Sequence, residues 1–109
     1  MQLDAASADI PAEKLRDYLL SAAHPIGRYK SSFFRSLGYT QDQWQLLELD
    51  LRMLLRNDSV PGDVTEYGQK FTVRGALTGP NGNKAVVVSV WIILTGQTAP
   101  RFVTAYPED

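Results

Sequence analysis

Lys84-Ala85-Val86-Val87-Val88-Ser89-Val90-Trp91-Ile92-Ile93-Leu94 carries the strongest strand signal of the chain, and the other elements arrange themselves around it. It is rich in β-branched residues and follows Gly79-Pro80-Asn81-Gly82-Asn83, where Asn-Gly is a hairpin signal because both residues accept positive φ. Apolar residues at consecutive positions predict a strand buried on both faces at its centre, the middle strand of a sheet. Upstream, from Tyr67, the period is two: Phe71, Val73 and Leu77 alternate with Lys70, Thr72 and Arg74, which predicts a strand with one buried face. Downstream, Gly96 to Pro100 turns the chain and Arg101 to Tyr106 forms a short last strand ended by Pro107.

Towards the N-terminus the period changes to that of helices. Met1 to Asp9 reads as a lead-in. Pro11 suits a first helical position because its missing N–H would be unpaired there, and Leu15, Tyr18 and Leu19 carry an apolar stripe to about Ser21. Pro25 disfavours helix at the residue before it, so His24-Pro25-Ile26-Gly27 is a break. A second helix is predicted from about Arg28 to Leu37, with Phe33, Phe34 and Leu37 inward and Gly38 at its left-handed end. Thr40-Gln41-Asp42-Gln43 has the spacing of a capping box, opening a third helix to about Leu55 with Trp44, Leu47, Leu51 and Leu54 on one face. Asn57 to Asp63, with Pro61-Gly62, is predicted as the loop between the two halves. The expected fold class is α+β: N-terminal helices packed on a C-terminal antiparallel β-meander of three to four strands. One domain is expected over 1–109, with a lead-in at 1–9, a helical half at 10–56 and a sheet half at 64–107.

The composition, 44% hydrophobic and 21% charged over 109 residues, is that of an ordinary globule. The absence of cysteine excludes disulfides, thiolate nucleophiles and Cys-ligated metals, and a lone histidine argues against a His-rich metal site. No cofactor or metal is expected. Ala85 to Leu94 is too short for a membrane span, and Met1 to Ile10 has no basic start of a signal peptide, so a cytoplasmic protein without a membrane partner is expected. A formal net charge of −1 hides an asymmetry. No Asp or Glu lies between Asp17 and Asp42 or between Glu66 and Glu108, and these windows hold seven of the 11 Lys and Arg residues.

His24 is the residue on which chemistry is most readily hung. It can carry protons near neutral pH and stands close to Arg28 and Lys30, a combination that suits phosphate chemistry. If the helices cover one sheet face, the other displays Lys70, Thr72 and Arg74. Strict alternation in the last strand puts Phe102, Thr104 and Tyr106 on one side and Arg101, Val103 and Ala105 on the other. Hydroxyls and guanidinium groups on a concave sheet, with an imidazole at its rim, could cleave RNA: a base takes the ribose 2′-OH proton, cations stabilise the phosphorane and an acid protonates the leaving oxygen. The glycines lack the spacing of a phosphate loop, and no pair of neighbouring carboxylates suggests glycoside chemistry.

Ile10-Pro11-Ala12-Glu13-Lys14-Leu15, His24-Pro25-Ile26-Gly27-Arg28-Tyr29-Lys30, Phe33-Phe34, Leu37-Gly38-Tyr39, Tyr67-Gly68, Gly79-Pro80-Asn81-Gly82, Val90-Trp91 and Val103-Thr104-Ala105-Tyr106-Pro107 together resemble a bacterial family of small uncharacterised domains, found alone or at the ends of polymorphic toxins. The resemblance runs over nearly the whole chain. That family in turn resembles the barnase, EndoU, colicin and RelE-like ribonucleases, whose helices precede a four-stranded antiparallel sheet. The resemblance implies His24 and Lys30 as a helix-side catalytic pair, with Thr104 and Tyr106 from the last strand. Arg28, Lys70, Arg74 and Arg101 are the expected substrate-binding cations. The expected function is a metal-independent toxin-type endoribonuclease acting on RNA, with a small cognate antitoxin or immunity protein as partner. The rival expectation is a noncatalytic, immunity-like or regulatory module of a toxin system.

Overall fold

Four strands form one antiparallel sheet in chain order: β1 (Ser59–Thr65), β2 (Gly68–Thr78), β3 (Lys84–Leu94) and β4 (Arg101–Pro107). The computed structural model describes residues 1–23 and 28–108, with the side chains of Arg28 and Tyr29 outside that description. β2 and β3 pair without a break from Gly68↔Leu94 to Thr78↔Lys84. Only Gly82 of the Asn-Gly pair takes positive φ, at 88°, as their turn requires. The register sorts the side chains into rows across the sheet. Phe71, Trp91 and Phe102 form one row and Val73, Ser89 and Ala105 the next, and all six are buried.

The helical layer lies on that buried face. α1 (Ala12–Lys14) runs straight into a π-helical turn, Leu15–Leu19, and is followed by α2 (Arg28–Ser36) and α3 (Trp44–Leu54). α3 buries Leu47, Leu51 and Leu54 and packs chiefly on β2. Gly75 makes this close approach feasible: a Cβ there would stand 2.8 Å from Leu54 Cδ2 and 2.3 Å from Asn57 Nδ2. α2 finishes against the β2–β3 hairpin, where Asn81 Nδ2 and Asn83 Nδ2 each donate to the Ser36 carbonyl at 3.1 Å. The hairpin thus supplies hydrogen-bond donors to a free carbonyl of the helix end.

The architecture expected from the sequence, three regular helices packed on a meander of three to four strands beginning at 64, needs correction. The sheet has four strands, and the segment read as a loop around Pro61-Gly62 lies inside β1. An edge strand tolerates proline because its missing N–H can face away from the ladder, and a register shift between Pro61 and Val64 absorbs the irregularity. The first helix is a single α turn that widens into a π turn. Thr40 does not cap α3, which begins after Gln43 without a side-chain cap; its hydroxyl instead accepts from Gln43 N within a preceding turn, at 3.3 Å. The lead-in contributes to the core: Leu3 and Ala8 are buried, Asp9 pairs with Arg101 along the β4 edge, and Arg52 Nη1 donates to the Ala5 and Ala8 carbonyls at 2.7 Å.

Candidate functional site

Lys30, in the first turn of α2, is the hinge of the polar cluster. Its ammonium donates to Thr104 Oγ1 at 2.8 Å, across 74 residues of chain, and to the Tyr18 hydroxyl at 3.1 Å. It also lies 5.4 Å from the Tyr18 ring centre and 5.9 Å from that of Tyr106, within cation–π range of both. An ammonium has three N–H donors; Thr104 and Tyr18 orient two of them, and a third suits an anionic oxygen. Lys30, Tyr18 and Thr104 are half-buried and Tyr106 is 39% exposed, so the cluster opens to solvent on the Tyr106 side.

Tyr18 reaches Lys30 because of the π turn. Leu20 N donates to Leu15 O at 2.8 Å, one residue further round than an α turn. The wider turn buries Leu15, Leu19 and Leu20 together and leaves Tyr18 half-exposed. Burial opposes ionisation of the phenol, yet hydrogen bonds from Lys30 and Thr104 and the charges of Lys30 and Lys14 prevail, holding it below the ordinary tyrosine value. The sequence reading placed Tyr18 in an apolar stripe. The signal in the sequence for a polar role is its hydroxyl, which needs a partner beside leucines.

The strand-side residues are gathered by register. Lys70, Ile92 and Arg101 make one row, Thr72, Val90 and Thr104 the next, and Arg74, Val88 and Tyr106 the third. Cross-strand partners share a face, so Lys70, Arg74, Arg101, Thr104 and Tyr106 all lie on the face away from the helical core. The expected alternation within β4 fails in one respect. A register shift between Val90 and Trp91 inserts Val103 and turns Phe102 into the core beside Trp91, with ring centres 5.3 Å apart. Thr104 and Tyr106 therefore share a face with Arg101 and not with Phe102. Arg74 is committed to an ion pair with Glu108, whose carboxyl it holds below the usual carboxylate range by hydrogen bonding and charge.

His24 lies outside the described residues, as does the Arg28 side chain. Among the described residues no three acidic or imidazole side chains gather as metal ligands, and no helix is long and apolar enough to cross a membrane. A shallow depression of about 280 Å³ between α3 and β2, bordered by Met53, Leu54, Ala76 and Leu77, contains none of the residues of the Lys30 cluster.

One chain of a contact-dependent growth inhibition toxin–immunity protein complex from Klebsiella pneumoniae 342 superposes with a TM-score of 0.75 at 21% identity, covering 91% of this chain and 98% of that one. At that identity the likeness is one of fold, and its description does not extend to a ribonuclease. No curated protein matches. A family model described as a domain of unknown function, DUF6883, matches residues 2–109, and on that match the chain belongs to the DUF6883 family.

Proposed function

We propose that this domain is a metal-independent, toxin-type endoribonuclease in which a ribose 2′-OH attacks the adjacent phosphodiester and leaves a 2′,3′-cyclic phosphate. The observation that carries the reading is the Lys30 ammonium held by Thr104 and Tyr18 at the edge of a sheet face bearing Lys70 and Arg101. A cation fixed by side chains before substrate arrives stabilises developing phosphorane charge without reorganising at the moment of reaction. Thr104 and Tyr106 supply hydrogen bonds to the phosphate or ribose, and Arg28, Lys70, Arg74 and Arg101 attract the backbone. His24, whose ordinary pKa lies near neutrality, serves as general base or acid on the strength of its place in the sequence. Fold likeness to a chain of a growth-inhibition toxin–immunity complex supports a role in a toxin system with a cognate protein partner; RNA as the substrate rests on the polar cluster and the resemblance, not on that likeness.

Expression without a partner tests the proposal. The wild-type chain should arrest growth and cleave total RNA in the presence of a chelator, leaving cyclic phosphate ends, while Lys30→Gln and His24→Ala should each relieve the arrest. Equal tolerance of all three chains, with intact RNA, would refute it. The same likeness is to a complex of two proteins and so also favours a noncatalytic, immunity-like or regulatory module. That reading predicts stoichiometric co-purification with a small protein and no cleavage by any variant.

A further inference from the structure

We infer that Tyr18 is a catalytic residue of the ribonuclease proposed above, the phenol that gives a proton to the departing 5′ oxygen; the inference rests on that reading. Two independent observations lead to it. One is position: the phenol oxygen accepts from the same ammonium that donates to Thr104, so any phosphate oxygen bound by Lys30 comes within reach of Tyr18. The other is backbone: Tyr18 sits in the π turn Leu15–Leu19, an uncommon geometry often found at functional sites, and here the turn leaves Tyr18 beside Lys30 while the flanking leucines stay in the core.

The chemistry requires two proton carriers. The O2′–P bond forms as the 2′-OH proton passes to a base, the role the proposed function leaves to His24. The P–O5′ bond breaks as the leaving oxygen takes the phenol proton. The phenolate that remains is stabilised by the Lys30 ammonium until the protonated base returns its proton through solvent. No oxidant, metal or co-reactant enters this balance. A phenol whose proton is loosened by Lys30 and Thr104 is a better acid than an ordinary tyrosine.

An RNA oligonucleotide spanning a cut mapped in total RNA supplies the test, synthesised once normally and once with sulfur bridging the scissile phosphorus to the 5′ carbon. A thiolate leaves without needing a proton. Tyr18→Phe should lower kcat on the normal oligonucleotide by about 100-fold or more, the scale of general acid catalysis, and fall within a few-fold of wild type on the sulfur-bridged one. Comparable slowing on both substrates, or no slowing on either, would overturn the role of Tyr18 while leaving the ribonuclease intact. A wild-type protein that cuts no RNA would remove both. Cleavage of the sulfur-bridged substrate also shows that the variant is folded.

Discussion

Ser89 shows what a single buried hydroxyl can do. It donates to the Val73 carbonyl at 2.8 Å and accepts from Trp91 Nε1 at 2.8 Å, with both side chains fully buried. Ser89→Ala strands the indole N–H without a partner, so urea unfolding should report a loss of about 1–3 kcal/mol; Ser89→Thr keeps the hydroxyl and separates hydrogen bonding from volume. Tyr39 carries a different lesson. Burial, and then the hydrogen bond and charge of Asp50 at 2.5 Å, push its phenol well above the ordinary tyrosine range. The unfolded chain therefore releases this proton first, near pH 10. The contribution of Tyr39 to stability is complete below that pH and is lost as pH rises further. Denaturation across about pH 8 to 11 should show the difference between wild type and Tyr39→Phe constant at first and beginning to shrink above about pH 10. At this scale the pairing of Lys30 with Thr104 was expected from the family resemblance, and the two side chains do meet; on residue chemistry alone a helix lysine and a strand threonine are ordinary. The sequence did not disclose Tyr18, whose spacing from Leu15 and Leu19 fits an apolar stripe until the turn is known to be π.

The elements most legible in the sequence are those whose local signals agree. β3 was expected from Lys84 to Leu94 and spans those residues, since an Asn-Gly turn precedes a β-branched run. β1 was hidden because Pro61, Gly62 and Asp63 are all turn formers, and only pairing with β2 on either side of the Gly62-Asp63 irregularity makes the segment a strand. The break in β4 was equally invisible: a bulge is a property of two strands together. Long-range docking also fixes α2, and through it Lys30. Gly79 lies so near the α2 end that a Cβ there would stand 1.9 Å from the Leu37 carbonyl oxygen. Gly79→Ala must push the hairpin and helix apart, at a cost of about 1–3 kcal/mol. Under the proposed mechanism it should lower kcat more than it raises KM, because the displaced element carries the phosphate-binding cation. Thermal melting and steady-state cleavage of one RNA substrate measure the two effects separately.

For the molecule as a whole, charge placement matters more than net charge. A formal net charge of −1 would discourage RNA binding if spread evenly. Instead β2, β3 and β4 carry Lys70, Arg74, Lys84 and Arg101 with no acidic residue before Glu108, and Lys70, Arg74 and Arg101 share the outer face with Thr104 and Tyr106. Glu108 is positioned by its own backbone, which donates to Val86 O at 3.0 Å, and its carboxylate occupies Arg74. Under the proposed function, RNA must therefore compete with Glu108 for one of the expected cations. If Lys30, Lys70 and Arg101 meet phosphates while Arg74 stays paired, single-stranded RNA affinity should fall with log salt at a slope of about −2, from about −0.7 per phosphate contacted. Glu108→Gln releases Arg74 and should steepen the slope to about −3 while tightening binding at low salt. Arg74→Gln should leave the wild-type slope nearly unchanged. Fluorescence anisotropy across a salt series, with cleavage blocked by Lys30→Met and one contact subtracted for the missing ammonium, makes the comparison. Coincident slopes for the Glu108 and Arg74 variants would place Arg74 outside the RNA path and confine binding to the Lys70–Arg101 row.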